Sequence, residues 1–131
     1  MRSASATGAS LRGVCCAPSG AGRSAGEFAS IFNGLGSRVI ETYRRDRILR
    51  GFDDDVRRFL AAEMIKKGIE IRTFTDPVSL AKTPAGLQAT LGNGDVIDAD
   101  LVMFATGRKP NTDTLALEAA GAGVVPFLLP G

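Results

Sequence analysis

Two short segments constrain the fold of this chain more than anything else in it. The first is Gly20-Ala21-Gly22-Arg23-Ser24-Ala25-Gly26-Glu27-Phe28-Ala29, a glycine-rich turn that runs into a helical pattern. The second is Tyr43-Arg44-Arg45-Asp46-Arg47-Ile48-Leu49-Arg50, an arginine cluster further along. Glycines without side chains let backbone N–H groups approach a pyrophosphate, and the helix that follows presents its positive end to the same charge. Ala25 takes the small-residue place in a Gly-x-Gly-x-x-Ala spacing, where helix and strand must lie close. Such a spacing also arises by chance in Gly/Ala/Ser-rich sequence, so the arginines decide its weight.

Between and beyond these segments the pattern is that of an α/β domain. Phe28, Ile31, Phe32 and Leu35 recur at helical spacing up to Gly34-Leu35-Gly36. Residues 38–43 read as a strand, bounded by a glycine before and charges after. Asp53-Asp54-Asp55 predicts a capped helix start, and Val56, Phe59, Leu60, Met64 and Ile65 trace an apolar stripe to Lys66-Lys67-Gly68. Residues 69–74 alternate as a strand. A three-stranded meander is expected from Val78 to Ala81, Leu87 to Leu91 and Val96 to Asp98, with a turn at Gly92-Asn93-Gly94. Leu101-Val102-Met103-Phe104-Ala105 is a continuous apolar run, as in a parallel strand covered on both faces. A first strand is expected before Gly20, yet residues 13–19 are a poor candidate because Pro18 removes a backbone donor near the turn. The fold expected is a Rossmann-like dinucleotide-binding domain with a parallel sheet plus the meander.

In such a fold the residue ending the second strand meets the adenosine ribose: an acid holds a 2′-hydroxyl, and arginine accommodates a 2′-phosphate. Here Arg44 and Arg45 stand there, with no acid at the strand end, and Arg50 adds a cation from the same loop. The planar guanidinium fork suits phosphate oxygens taken two at a time. This pattern points to NADPH rather than NADH. The plain alternative is a solvated basic surface paired with Asp46 and Asp53 to Asp55.

Composition sets limits on function. The chain has 131 residues, 44% of them hydrophobic, enough for one domain with a core. Its net charge is only +2, and stacking aromatics are few, which argues against a nucleic-acid module and against a membrane surface. With no histidine anywhere, imidazole acid–base catalysis and His-ligated zinc are excluded for this polypeptide alone. No metal site is expected. Cys15 and Cys16 are adjacent and imply neither a disulfide framework nor a CxxC pair. No run reaches the roughly 20 apolar residues of a membrane span. Residues 1–26 lack acids and carry Arg2, Arg12 and Arg23 among Ser, Ala and Gly, the composition of an organelle transit peptide or of a disordered start. The division expected is a low-complexity or transit-like segment at 1–19, a binding domain at 20–120 and a tail at 121–131.

Three segments, residues 26–36, 43–53 and 102–112, in this order and separation, resemble the NADPH domain of glutathione reductases within the flavin-dependent pyridine nucleotide-disulfide oxidoreductases. The wording of the last two is most similar to plant and algal members. The resemblance implies that Arg44 and Arg50 make the 2′-phosphate contacts, with Arg45 beside them, and that Gly20, Gly22 and Ala25 cradle the pyrophosphate. It implies that Glu27 lies near the nicotinamide and supports the lysine of the flavin site, where the plain alternative is a helix-capping acid. Ala105 and Gly107 then line the nicotinamide end. Where the family reads Gly-Gly-Gly-Tyr-Ile-Ala, this chain reads Gly20-Ala21-Gly22-Arg23-Ser24-Ala25, so Arg23 replaces a tyrosine.

The family's enzymes pass hydride from NADPH to FAD, reduce a protein disulfide and then reduce glutathione disulfide, as homodimers. The FAD domain, the Cys-x-x-x-x-Cys disulfide and the interface domain with its catalytic histidine have no counterpart here, so no catalytic residue is assigned. The expectation is an NADPH-binding domain, inactive alone, either a fragment or a gene product with replaced ends, in the cytoplasm or chloroplast. Two alternatives stand beside it: a thioredoxin, trypanothione or mercuric reductase type of the same family, and a non-catalytic module.

Overall fold

A computed structural model describes residues 14–17, 23–106, 114–117 and 119–121. The element order is β1 Val14–Ala17, α1 Arg23–Gly34, β2 Val39–Tyr43, α2 Asp54–Lys66, β3 Glu70–Thr73, β4 Pro77–Thr83, β5 Gly86–Leu91, β6 Val96–Ala99 and β7 Leu101–Phe104. Four strands form a parallel sheet in the order β3-β2-β1-β7, and β4-β5-β6 form an antiparallel sheet. The meander is therefore the crossover that carries the chain from β3, at one edge, to β7 at the other.

The first strand corrects the sequence reading. Val14–Ala17 pairs with β2 on one side and β7 on the other, in the middle of the sheet. Pro18 lies outside the described residues, and the paired residues Val14 to Ala17 all keep their backbone donors. Two flanking strands supply the pairing that weak local propensity did not announce. The folded unit thus takes in part of the stretch read as low-complexity.

Local chemistry accounts for the helix ends. The Asp53 carboxylate accepts from the Asp55 N–H at 2.9 Å, and Asp54 and Asp55 add negative charge to the first turn of α2. At its far end Gly68 adopts φ 94°, its N–H bonds the Ile65 carbonyl at 2.9 Å, and the Ile69 N–H bonds the Met64 carbonyl at 3.1 Å. This closure places Ile69 against Met64, and both are buried. Helix α1 closes in the same way, with the Ser37 N–H on the Phe32 carbonyl and the Gly36 N–H on the Asn33 carbonyl, each at 3.0 Å.

Side-chain alternation along β2 divides the core in two. Val39 and Tyr43 pack with Ala25, Ala29, Met64 and Ile69 beneath the helices, whereas Ile40 packs with Ala89, Leu91 and Ile97 of the meander. In β7, Leu101 and Met103 join the helical side and Val102 the meander side, as a strand covered on both faces requires. Burying a large aliphatic side chain in either layer stabilises by about 1.5–3 kcal/mol. The apolar stripe of α2 locates the helix but is not all core: Met64 is buried, while Val56, Phe59 and Ile65 are exposed. The meander turn closes through the Gly94 N–H on the Leu91 carbonyl at 2.9 Å, and the Asn93 side chain accepts from the Asp95 N–H at 3.0 Å.

Candidate functional site

Because β1, β2, β3 and β7 are parallel, their carboxyl ends share one edge of the sheet. The chain leaves β1 toward β2 and β3 on one side and returns to β7 on the other, so the crevice between β1 and β7 is the topological switch point where such sheets bind ligands. The ends of β1 and β7 and the amino terminus of α1 meet there. Ala105, half-buried, and Thr106, exposed, follow β7 directly. Ala25 lies in the first turn of α1 and is fully buried against the sheet. Gly20, Gly22 and Gly107 lie outside the described residues.

The arginine loop leaves the same edge from the end of β2. Arg44 and Arg45 are exposed and Arg50 is half-buried. The loop is anchored at both flanks: Phe74 donates its N–H to the Arg45 carbonyl at 3.0 Å, Thr75 donates to the Tyr43 carbonyl at 3.1 Å, and Ile48 and Leu49 are buried in the helical core. Leu49 takes a left-handed φ of 56°, and Phe52 donates back to its carbonyl at 3.2 Å. The acids nearby pair with other arginines. Arg47 approaches Asp46 and Asp54 at 3.9 and 3.7 Å, Arg57 approaches the same two at 3.8 and 3.0 Å, and Arg58 pairs with Asp55. Among the described residues no acid stands within ion-pair distance of Arg45 or Arg50.

A second hollow lies beside this edge, between α1 and α2. It is a cavity of about 380 Å³ with a mainly apolar lining that includes Arg23, Gly26, Glu27, Leu49, Phe52 and Met64. The Arg23 guanidinium sits 5.9 Å from the centre of the Phe52 ring, within cation–π range. None of Arg44, Arg45 and Arg50 lines this cavity, and an apolar wall does not suit phosphate, so the hollow and the cluster of cations are distinct places. Glu27 lies beyond the first turn of α1, which holds no acid; a capping role is therefore ruled out, and its side chain borders the cavity.

Two features escape the sequence reading. Arg57 reaches out of α2 to the backbone of the arginine loop, donating from Nε to the Ile48 carbonyl at 2.9 Å and from Nη2 to the Arg47 carbonyl at 2.7 Å. The signal available was an arginine one turn beyond the Asp53 cap, on the helix that follows the loop. The other is Glu41, fully buried in β2 with neither carboxylate oxygen hydrogen-bonded among the described residues. Burial pushes its carboxyl up from the ordinary 4.5 to about 7. By contrast Glu70 is partly buried, which pushes it up, but hydrogen bonds and charge from Arg72 and Arg38 outweigh this and hold it below its usual range. Among the described residues no three His, Cys, Asp or Glu side chains gather as metal ligands would. Among them, too, no helix is long and apolar enough to cross a membrane.

Comparison with known proteins agrees with this architecture. A model of the pyridine nucleotide-disulphide oxidoreductase family matches residues 14–125. The glutathione reductase of Burkholderia cepacia is 45% identical over 105 residues, which cover 80% of this chain and 23% of that protein. The chloroplastic/mitochondrial glutathione reductase of Pisum sativum is 44% identical over 106 residues, 80% of this chain and 19% of that protein. A bacterial and a plant relative are thus about equally similar. An engineered water-forming NADPH oxidase, derived from a Lactobacillus brevis enzyme, shares the fold with a TM-score of 0.73 at 22% identity, covering 84% of this chain and 24% of that one. The chain spans no more than about a quarter of the length of any of these three proteins. It belongs to the pyridine nucleotide-disulphide oxidoreductase family and resembles that family's glutathione reductases.

Proposed function

We propose that this chain carries the NADPH-binding unit of a flavin-dependent reductase that converts glutathione disulfide to glutathione, and that residues 1–131 alone do not turn over. The observation that carries the reading is the arginine loop at the carboxyl edge of the sheet, one strand from the switch-point crevice, with no acid at the end of β2. The adenosine end of the dinucleotide lies along β2, its 2′-phosphate held by Arg44 and Arg50 with Arg45 beside them. The pyrophosphate lies over the start of α1, with Gly20, Gly22 and the close-packed Ala25 making room for it. Ala105, Gly107 and Glu27 face the nicotinamide end. In the complete enzyme a flavin, held by other parts of the family enzyme, would accept the hydride that the coenzyme bound here supplies. What this chain contributes is binding, orientation and selection between two coenzymes.

The engineered NADPH oxidase supports the reading from another direction. It is bound to NADPH, and among its five substitutions are two arginines six positions apart, the separation of Arg44 and Arg50. The test is a titration of the 131-residue chain with NADPH and NADH, followed by protein or nucleotide fluorescence. We expect tighter binding of NADPH, and Arg44→Ala to remove about tenfold of it, the scale of one charge-assisted phosphate contact. Equal affinity for both coenzymes, unchanged in Arg44→Ala, refutes the assignment.

A further inference from the structure

The 2′-phosphate cations come from a loop that has neither helix nor strand of its own, and two guanidinium groups six residues apart act together only if the backbone between them is fixed. Three conditions work against that fixity. Residues 44–50 make no ladder, Leu49 holds a left-handed φ of 56° that a non-glycine residue adopts only under strain, and four arginines crowd the segment. The bonds from Phe74 and Thr75 hold the start of the loop and buried Ile48 and Leu49 its far part, and one side chain ties its middle to α2. Arg57 is largely buried, its side chain only 14% exposed, and its donor fork is divided between the Ile48 carbonyl at 2.9 Å, the Arg47 carbonyl at 2.7 Å and the Asp54 carboxylate at 3.0 Å. It also stands 3.8 Å from the Asp46 carboxylate.

We propose that Arg57 is a positioning residue for coenzyme selection: by clamping the backbone of Arg47 and Ile48 to α2, it sets the spacing at which Arg44 and Arg50 meet the 2′-phosphate. This inference rests on the NADPH reading above. The fork matters as well as the charge. A lysine ammonium carries the same charge but cannot span two adjacent carbonyls and a carboxylate with fixed planar geometry. Arg57 has a second effect through Asp46 and Asp54. Paired with Arg57 and Arg47, these acids present little net charge to the phosphate; without the pairing they repel it. NADH lacks that phosphate and makes no demand on the loop, so the clamp acts on one coenzyme and not on the other.

The experiment measures Kd for NADPH and NADH with the full chain as wild type, Arg57→Lys, Arg57→Ala, Arg44→Ala and the Arg44→Ala/Arg57→Lys double variant. Amide exchange of residues 44–52 is read alongside. The expected result is about a tenfold loss of NADPH affinity in Arg57→Lys and at least that in Arg57→Ala, with NADH affinity within twofold of wild type. The double variant should lose little more than Arg44→Ala alone, since both changes act on one contact. Exchange should quicken in the loop and not in β1 or β2. Wild type that prefers NADPH, with the preference lost in Arg44→Ala but kept in both Arg57 variants, overturns the positioning role alone. Wild type with no preference and no response to Arg44→Ala overturns the coenzyme reading and this inference with it. Equal losses for both coenzymes mark Arg57 as merely structural and also overturn the proposal.

Discussion

Glu41 makes the stability of this domain depend on pH in an unusual direction. Its carboxyl has no exposed surface, lies on a central strand between β1 and β3, and shares the helical face with Val39 and Tyr43. A carboxyl held at about 7 when folded, against 4.5 in the open chain, keeps its proton in the native state over that interval. Below pH 4.5 both states are protonated and burial of the ionised form costs nothing. As the pH rises, the unfolded chain ionises first and is favoured, so stability falls between about 4.5 and 7 and is flat above. At 1.36 kcal/mol per pKa unit the whole fall is about 3 kcal/mol, which for a domain of this size displaces the melting temperature by roughly 10 °C. Urea denaturation of wild type and Glu41→Gln from pH 4.5 to 8.5 isolates the effect, because other carboxylates, Glu70 included, are common to both curves. Glu41→Gln should match wild type within about 1 kcal/mol at pH 4.5 and exceed it by about 2–3 kcal/mol at pH 8. Glu41→Leu, which also removes two unsatisfied oxygens, should gain at every pH. A Glu41→Gln curve that falls with pH as steeply as the wild-type curve refutes the reasoning.

Asp53→Ala removes the side-chain acceptor of the Asp55 N–H and should cost about 1 kcal/mol in urea unfolding, with Asp53→Asn losing far less. Gly86→Ala should cost more, on the order of 1–3 kcal/mol. Gly86, the first residue of β5, holds φ 139°, and an added Cβ meets the Ala99 carbonyl oxygen at 2.9 Å, so backbone must move; thermal melts at constant pH measure it. Purified 131-residue chain supplied with NADPH, FAD and glutathione disulfide should consume no NADPH above the protein-free rate, measured at 340 nm; coupled consumption refutes the proposal that the chain is inactive alone. On the proposed 2′-phosphate contacts, binding of NADPH should weaken with added salt more than binding of NADH, and parallel salt dependences count against those contacts.

What sequence disclosed and what it withheld separate along a physical line. Features written in one local stretch were legible: the Asp53 cap, the period of α2, the apolar run of β7, and the Asn93 turn with its flanking strands all appear where pattern places them. Features that depend on what packs alongside were not. Val14–Ala17 is a strand because β2 and β7 flank it, and nothing within those four residues says so. Phe59 and Ile65 fit the helical period of a buried stripe, yet the sheet meets α2 through Met64 and Leu60, leaving both exposed. Glu41 breaks the rule in the opposite sense. Its charge predicts a solvated position, and the fold buries it, since alternation on β2 fixes its face once Val39 and Tyr43 have claimed theirs. The candidate site divides in the same way. Residue type and order point to the cations of the loop; what holds their backbone in place is a helix side chain, Arg57, whose role exists only in three dimensions. Charged side chains are therefore where the fold adds most to what sequence shows here, and Glu41 and Arg57 fall on either side of the consequence: one destabilises the domain when ionised, the other spends its charge on order.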